Sequence, residues 1–157
     1  MSTKGIIYVG AFLDDESKRT AQELAGANLP EIFEERHCHH LTLAFMPNES
    51  TLDKLVGNLG QEITIDIWGI AESPEIGAQA FICDVPDGIY CSNEHPHITI
   101  ACKRGFKPFM SNKVLSSLSG DKLFTTNGAG SIWSRAVKVT GRIGLFTNEG
   151  IKWQKIK

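Results

Sequence analysis

Two tetrapeptides, His40-Leu41-Thr42-Leu43 and His97-Ile98-Thr99-Ile100, carry one chemical pattern and stand 57 residues apart. Each reads histidine, apolar, threonine, apolar. Along a β-strand successive side chains point to opposite faces, so the His and Thr of each copy share one face and the two aliphatic residues share the other. Each copy therefore presents an imidazole beside a hydroxyl while its back seals a core. Two such units facing each other would make a symmetrical site.

The 157 residues fit one compact domain, 1–157, long enough to bury a substantial core. A net charge of −2 argues against a general nucleic-acid coat, although Lys103, Arg104 and Lys107 gather after the second tetrapeptide and allow a reading as an RNA-surface protein. Cys38, Cys83, Cys91 and Cys102 form no C-x-x-C pair, so a zinc knuckle or redox dithiol is not expected. The start MSTKGIIYVGAF lacks a long apolar segment with a cleavage site, and no apolar run reaches spanning length. A cytoplasmic protein with reduced thiols and no membrane association is expected.

A strand is expected over 5–13, then a helix of about eleven residues capped by Asp14 or Asp15, with Ala21, Leu24 and Ala25 inward and Gly26 as its stop. PEIFEERHC, from Pro30, reads as a helical turn or loop; 39–46 reads as a strand, and 51–56 as a short helix opened by Ser50 and ended near Gly57 or Gly60. Strands follow over 62–70 and 78–85, an antiparallel pair, and over 95–102 after the turn Pro86-Asp87-Gly88. Ser111 could cap a helix carrying Val114, Leu115 and Leu118, with Gly120 as its stop, and the chain from Ala136 onward reads as two strands joined through Asn148-Glu149-Gly150. Antiparallel pairs with interspersed helices make the fold class α+β. A motif strand followed by a Ser-opened helix occurs twice, at 39–59 and 95–119, which predicts two similar lobes whose motif strands meet across a cleft.

All five histidines fall in two clusters, His37, His39 and His40, then His95 and His97. An imidazole pair supplies one neutral base and one protonated acid near neutrality. In-line displacement at phosphorus needs both, and hydroxyls from Thr42 and Thr99 suit the non-bridging phosphate oxygens. A lone His-x-Thr on a strand is ordinary; two copies in the same apolar frame point to phosphodiester cleavage without a metal. A metal reading competes, since His37 with His39 and His95 with His97 have strand ligand spacing, but neither motif carries a carboxylate. No G-x-S-x-G elbow or phosphate-binding glycine loop is present. A non-catalytic nucleotide-binding module is a further reading, with the difficulty that a binder has no need of two proton-transfer groups. Tyr8 could stack a base or sit in the core, as could Trp153; Trp68 and Trp133 have weaker claims. Lys103 could meet a phosphate or remain a solvated surface residue.

The segments CHHLTLAF (38–45) and HPHITIAC (95–102) resemble the signature of the 2H phosphoesterase superfamily, which carries two H-x-T/S-x motifs on central strands of a bilobal fold. The following KRGFKPFMSNKVL resembles the same region of the cyclic phosphodiesterase domains of tRNA ligases and of 2′,3′-cyclic-nucleotide 3′-phosphodiesterases. The resemblance implies two antiparallel sheets with outer helices around a central cleft, no cofactor, and metal-independent action on nucleotide phosphodiesters, often 2′,3′-cyclic phosphates or 2′–5′ linkages. It implies His40 and His97 as the acid–base pair, with His97 as base and His40 as acid for a cyclic phosphate, and Thr42 and Thr99 as phosphate clamps. The implied partner is a nucleotide or RNA end. Small phage-encoded 2H enzymes that degrade cyclic oligonucleotide immune signals carry similar motifs, so a cyclic oligonucleotide is the alternative substrate. The chain carries no kinase or ligase portion, so the resemblance implies a stand-alone phosphodiesterase.

Overall fold

A computed structural model describes residues 3–28, 35–73, 77–105 and 129–154. Its strands in chain order are β1 (Ile6–Leu13), β2 (Glu35–Arg36), β3 (His40–Phe45), β4 (Glu62–Ser73), β5 (Ala78–Asp84), β6 (His97–Cys102), β7 (Ala129–Thr147) and β8 (Gly150–Lys152). The helices are α1 (Asp15–Asn28) and α2 (Glu49–Asp53), with a short 3-10 turn at Val56–Asn58.

Pairing runs β1-β3-β6-β5-β4-β7 and returns to β1, so six strands close into an antiparallel barrel, with β2 added along β6 and β8 along β7. This corrects the expectation of two separate sheets with outer helices around a central cleft. Alternation within a strand says which face is buried but not which strand lies beside it. Closure comes from β7, whose 19 residues pair with β4 along Ala129–Ile132 and Val137–Arg142 and with β1 along Gly141–Thr147. Register shifts between Val9 and Gly10 and between Ile67 and Gly69 interrupt the ladders. Such bulges increase local bend and twist, which a closed ring requires. The motif strands do not face each other from opposite lobes; β3 and β6 are direct neighbours, paired at Leu41 and Ile98.

Local signals held at α1, where Asp14 Oδ1 accepts the Ser17 N–H at 2.7 Å, but the helix passes through Gly26 to Asn28. There the Asn28 amide donates to the Leu24 carbonyl at 2.8 Å and satisfies a C-terminal acceptor. The second helix opens at Asn48 rather than Ser50, with the Asn48 side chain accepting from the Thr51 N–H. Within the segment read as a helical turn or loop, Glu35 and Arg36 are a strand against Cys102 and Ala101. Strands β7 and β8 form the expected hairpin, with Gly150 already paired to Thr147. The helix expected after Ser111 lies outside the described residues.

Val9, Ala11, Leu41, Leu43, Ile98, Ile100, Phe81, Ile65, Ile67, Ile143 and Leu145 form one buried cluster with Ala21 and Ala25 of α1, Leu52 of α2 and Leu55. The two helices therefore pack on the aliphatic face of the barrel strands. Leu41 and Ile98 are fully buried, so Leu41→Ala or Ile98→Ala is expected to cost about 2–5 kcal/mol of stability, read from urea unfolding.

Candidate active site

Leu41 pairs with Ile98 in antiparallel register. One residue to either side, the same register sets Thr42 opposite His97 and His40 opposite Thr99, all four on the face away from the core. The two imidazoles then occupy diagonal positions, and diagonal neighbours on a sheet lie ~7–8 Å apart, room for a phosphate between them. His97 and Thr99 are 6% and 8% exposed, while His40 and Thr42 are half-buried and open to solvent on one side. Cross-strand partners on β5 are Ile82 beside His97 and Ala80 beside Thr99, which wall that side of the quartet with hydrocarbon. The 91–93 segment runs along β3: Ser92 N–H donates to the Leu43 carbonyl at 2.8 Å and the Asn93 amide to the Thr42 carbonyl at 3.1 Å.

On the other side of His40 the same face continues across β1 and β7 in rows. Phe45, Tyr8 and Phe146 are register partners, then Thr42, Gly10 and Gly144, then His40, Phe12 and Arg142. The middle row carries two glycines, and aromatic rings lie on them. A Cβ on Gly10 would come 3.1 Å from the Tyr8 ring, and one on Gly144 would come 2.8 and 2.9 Å from ring carbons of Trp153. Tyr8 stacks on His40 at 4.7 Å and 17°, and on Phe146 at 4.8 Å and 10°. Those two rings come from the strands flanking β1, so Tyr8 is held between them and fixes the plane of His40. Phe12 tilts toward His40 at 5.8 Å and meets the edge of Trp153 at 5.8 Å. The Arg142 guanidinium lies 4.3 Å over the Trp153 ring. Beyond Phe12 and Trp153 a pocket of about 270 Å³ opens, lined also by Lys18, Glu62 and Thr140.

The site is electrostatically arranged to keep its imidazoles neutral. His40 is pushed down to about 3, first by burial and then by the neighbouring imidazoles His39, His37 and His97. His97 is lowered by burial, partly offset by its hydrogen bond to the His95 carbonyl. That bond, 2.8 Å from Nδ1 to the carbonyl oxygen, has chemical content: a carbonyl only accepts, so Nδ1 carries the proton and Nε2 has the free lone pair. Burial raises the Tyr8 hydroxyl to about 12, so it stays a protonated donor.

Among the expected residues, His40, Thr42, His97 and Thr99 come together on adjacent strands, and Tyr8 adjoins them. Trp153 reaches His40 only through Phe12. Lys103 stands outside the quartet: it follows the far end of β6, its N–H donates to the Gly77 carbonyl at 2.9 Å, and its stem packs where a Gly77 side chain would be. His37 and His39 meet edge to face at 5.5 Å, and His37 Nε2 lies 3.5 Å from Cys102 Sγ. Among the described residues no group of three or more His, Cys, Asp or Glu side chains is arranged to hold a metal ion. Sequence reasoning passed over Phe12, Gly10, Gly144 and Arg142. The signal was present, since residues 8, 10 and 12 and residues 142, 144 and 146 each share a strand face, and glycine inside a strand marks close approach.

No protein-family model and no curated protein sequence matches the chain. Among solved structures it is similar to one titled crystal structure of fungal RNA kinase, with a TM-score of 0.60 and 14% sequence identity. The similarity covers 90% of this chain and 46% of that one, so this protein spans about half the length of that relative. At this identity the likeness establishes a shared α+β fold.

Two outcomes are expected from this geometry. Gly144→Ala displaces the Trp153 ring, read as a change in tryptophan emission that disappears when Trp153→Phe is added. Because the folded pKa of His40 lies below its ordinary value of 6.5, the unfolded chain binds more protons between those values. Its contribution to stability is full above pH 6.5 and is lost as pH falls toward 3. Thermal unfolding between pH 7 and pH 4 (~the range spanned by those values) therefore shows a smaller Tm loss for His40→Gln than for the parent.

Proposed function

We propose that this chain hydrolyses nucleotide phosphodiesters without a metal, by acid–base catalysis between two imidazoles, with 2′,3′-cyclic phosphates of RNA ends or nucleotides as the substrate class. The observation that carries the reading is the paired register of Leu41 and Ile98, which sets two imidazoles and two hydroxyls in one square on a face with a hydrophobic surround. The fold shared with a structure titled as an RNA kinase is consistent with work at RNA ends.

The chemistry follows from the hydrogen bonds. His97 Nε2, with its lone pair free, takes a proton from water as the oxygen attacks phosphorus. The bond from phosphorus to one ribose oxygen breaks in line, and His40 protonates that oxygen from Nε2. Thr42 and Thr99 hydroxyls donate to the non-bridging oxygens, where charge accumulates. Tyr8, stacked on both sides, orients His40, and its hydroxyl is a further donor. A base would lie toward Trp153, where the exposed Arg142 guanidinium offers a plane for stacking.

Purified protein is incubated with chelator and a panel of 2′,3′-cyclic mononucleotides, 2′–5′ dinucleotides and cyclic dinucleotides, with products identified by chromatography. Turnover of the 2′,3′-cyclic compounds is expected, unchanged by chelator and lost in His40→Ala and His97→Ala. Thr42→Ala and Thr99→Ala are each expected to slow kcat by ~10²–10³-fold. With the wild type, the rate falls as pH drops through the lowered pKa of His97, below 6.5. Activity that is lost in chelator and restored by a transition metal would overturn the mechanism; exclusive turnover of cyclic dinucleotides would reassign the substrate.

A further inference from the structure

The mechanism asks His40 for a proton, yet nothing on β3 or β6 replenishes it, and the ring is too buried among imidazoles to hold one as an imidazolium at neutral pH. The neighbouring residue answers this. In an uninterrupted strand, residues 39 and 40 project to opposite faces. Here β3 begins only at His40, and just before it Cys38 adopts a left-handed conformation, φ 70°, so strand alternation does not extend to His39. The kink is pinned on both sides: Cys38 N–H donates to the Thr99 carbonyl at 2.8 Å, and the His39 carbonyl accepts from the Leu13 N–H at 2.9 Å. As a result the His39 and His40 rings stack at 4.7 Å and 22°, with their Nδ1 atoms 2.6 Å apart.

Two ring nitrogens at that distance share one proton, because facing lone pairs repel and so do facing N–H groups. If His39 Nδ1 carries it, His40 Nδ1 is the acceptor, and neutral His40 bears its own proton on Nε2, as a general acid requires. We propose that His39 is the positioning residue that sets the tautomer of His40 and supplies its proton, an inference that rests on the phosphodiesterase reading. In the reactive form His39 is an imidazolium, protonated on both nitrogens, and His40 is neutral with its proton on Nε2; because His39 is held below the ordinary histidine value, this form gains population as pH falls. As the phosphorus–oxygen bond breaks, the Nε2 proton of His40 passes to the departing ribose oxygen and the Nδ1 proton of His39 passes to His40 Nδ1. His39 ends neutral, the ribose ends as an alcohol, and the buried His40 ring is neutral both before and after the step, the positive charge at the start being on the exposed ring. A solvent proton then enters at His40 Nε2, the proton on His40 Nδ1 returns to His39 Nδ1, and the pair is reset.

The groups facing this relay are His37 edge-on and Lys18 of α1 beside His39, and Tyr8, Phe12 and His97 around His40. Burial and the charges of His37 and Lys18 hold His39 below the ordinary histidine value. The protonated form of His39 is lost as pH rises through its pKa, so His39 governs the alkaline limb of kcat.

The test compares wild type, His39→Ala and His39→Asn in kcat and KM against pH, on a phosphodiester that the wild type hydrolyses. Nitrogen-15 NMR of the imidazoles is recorded in parallel without substrate. His39→Ala is expected to lower kcat at neutral pH by ~10²-fold with KM changed less than about twofold, and to move the alkaline limb to lower pH. Asparagine donates an N–H but relays no proton, so His39→Asn is expected to stay slow. In the wild type the NMR spectrum is expected to show His40 protonated on Nε2 with Nδ1 accepting. A His39→Asn enzyme with wild-type kcat and pH profile overturns the proposal, as does a His40 ring protonated on Nδ1. If the wild type cleaves no phosphodiester, the functional reading fails, and the NMR tautomer still decides whether His39 donates to His40.

Discussion

The contact between Leu41 and Ile98 joins two halves of the chain that local sequence leaves independent. Both side chains are aliphatic and fully buried, and their pairing brings β3 against β6 at one point of the ring. A slip of one residue in either strand would turn its His and Thr into the core and its Leu or Ile into solvent. Burial of the aliphatic back thus sets the register, and the register sets where the imidazoles and hydroxyls stand. Stability and the candidate site draw on the same pairing.

Around that pairing, backbone departures do the positioning that side-chain identity alone would not. Gly10 and Gly144 lie side by side, and without their Cβ atoms the Tyr8 and Trp153 rings come close against the backbone there. Tyr8 in turn clamps His40 between strands. Cys38, with its positive φ, lies just before the start of β3, and the His39 and His40 rings meet there. These features make a site whose rings are held by packing and whose buried imidazoles, His40 and His97, are neutral because burial and mutual proximity disfavour charge. A neutral pair is well suited to accept and pass protons, and poorly suited to store them, which is why an exposed ring in contact with the buried one matters to the proposed chemistry.

Much of the chain could be read locally. The positions of β1, β3, β4, β5 and β6, the Asp14 start of α1 and the hairpin before Gly150 follow from alternation, capping and turn chemistry, whereas β2 and the first part of β7 do not read as strand from the sequence. Boundaries moved where a second acceptor or donor was available: Asn48 took the cap expected of Ser50, and Asn28 extended a helix that Gly26 was expected to end. The two-lobed arrangement with separate sheets failed for a different reason. One strand, β7, pairs along its two edges with β4 and with β1, and no local pattern records that a strand of 19 residues serves both.

The amino-acid sequence by itself determined the composition of the quartet and which face of each strand would carry it, because side-chain alternation is a property of the strand alone. Tertiary structure decided that β3 and β6 are neighbours, that Tyr8 is enclosed between His40 and Phe146, and that His39 touches His40 at all. Those relations depend on ring closure, on rings packing against glycine backbone, and on a left-handed residue pinned by two other strands. Each involves partners far apart in the chain, which only a folded backbone brings within reach.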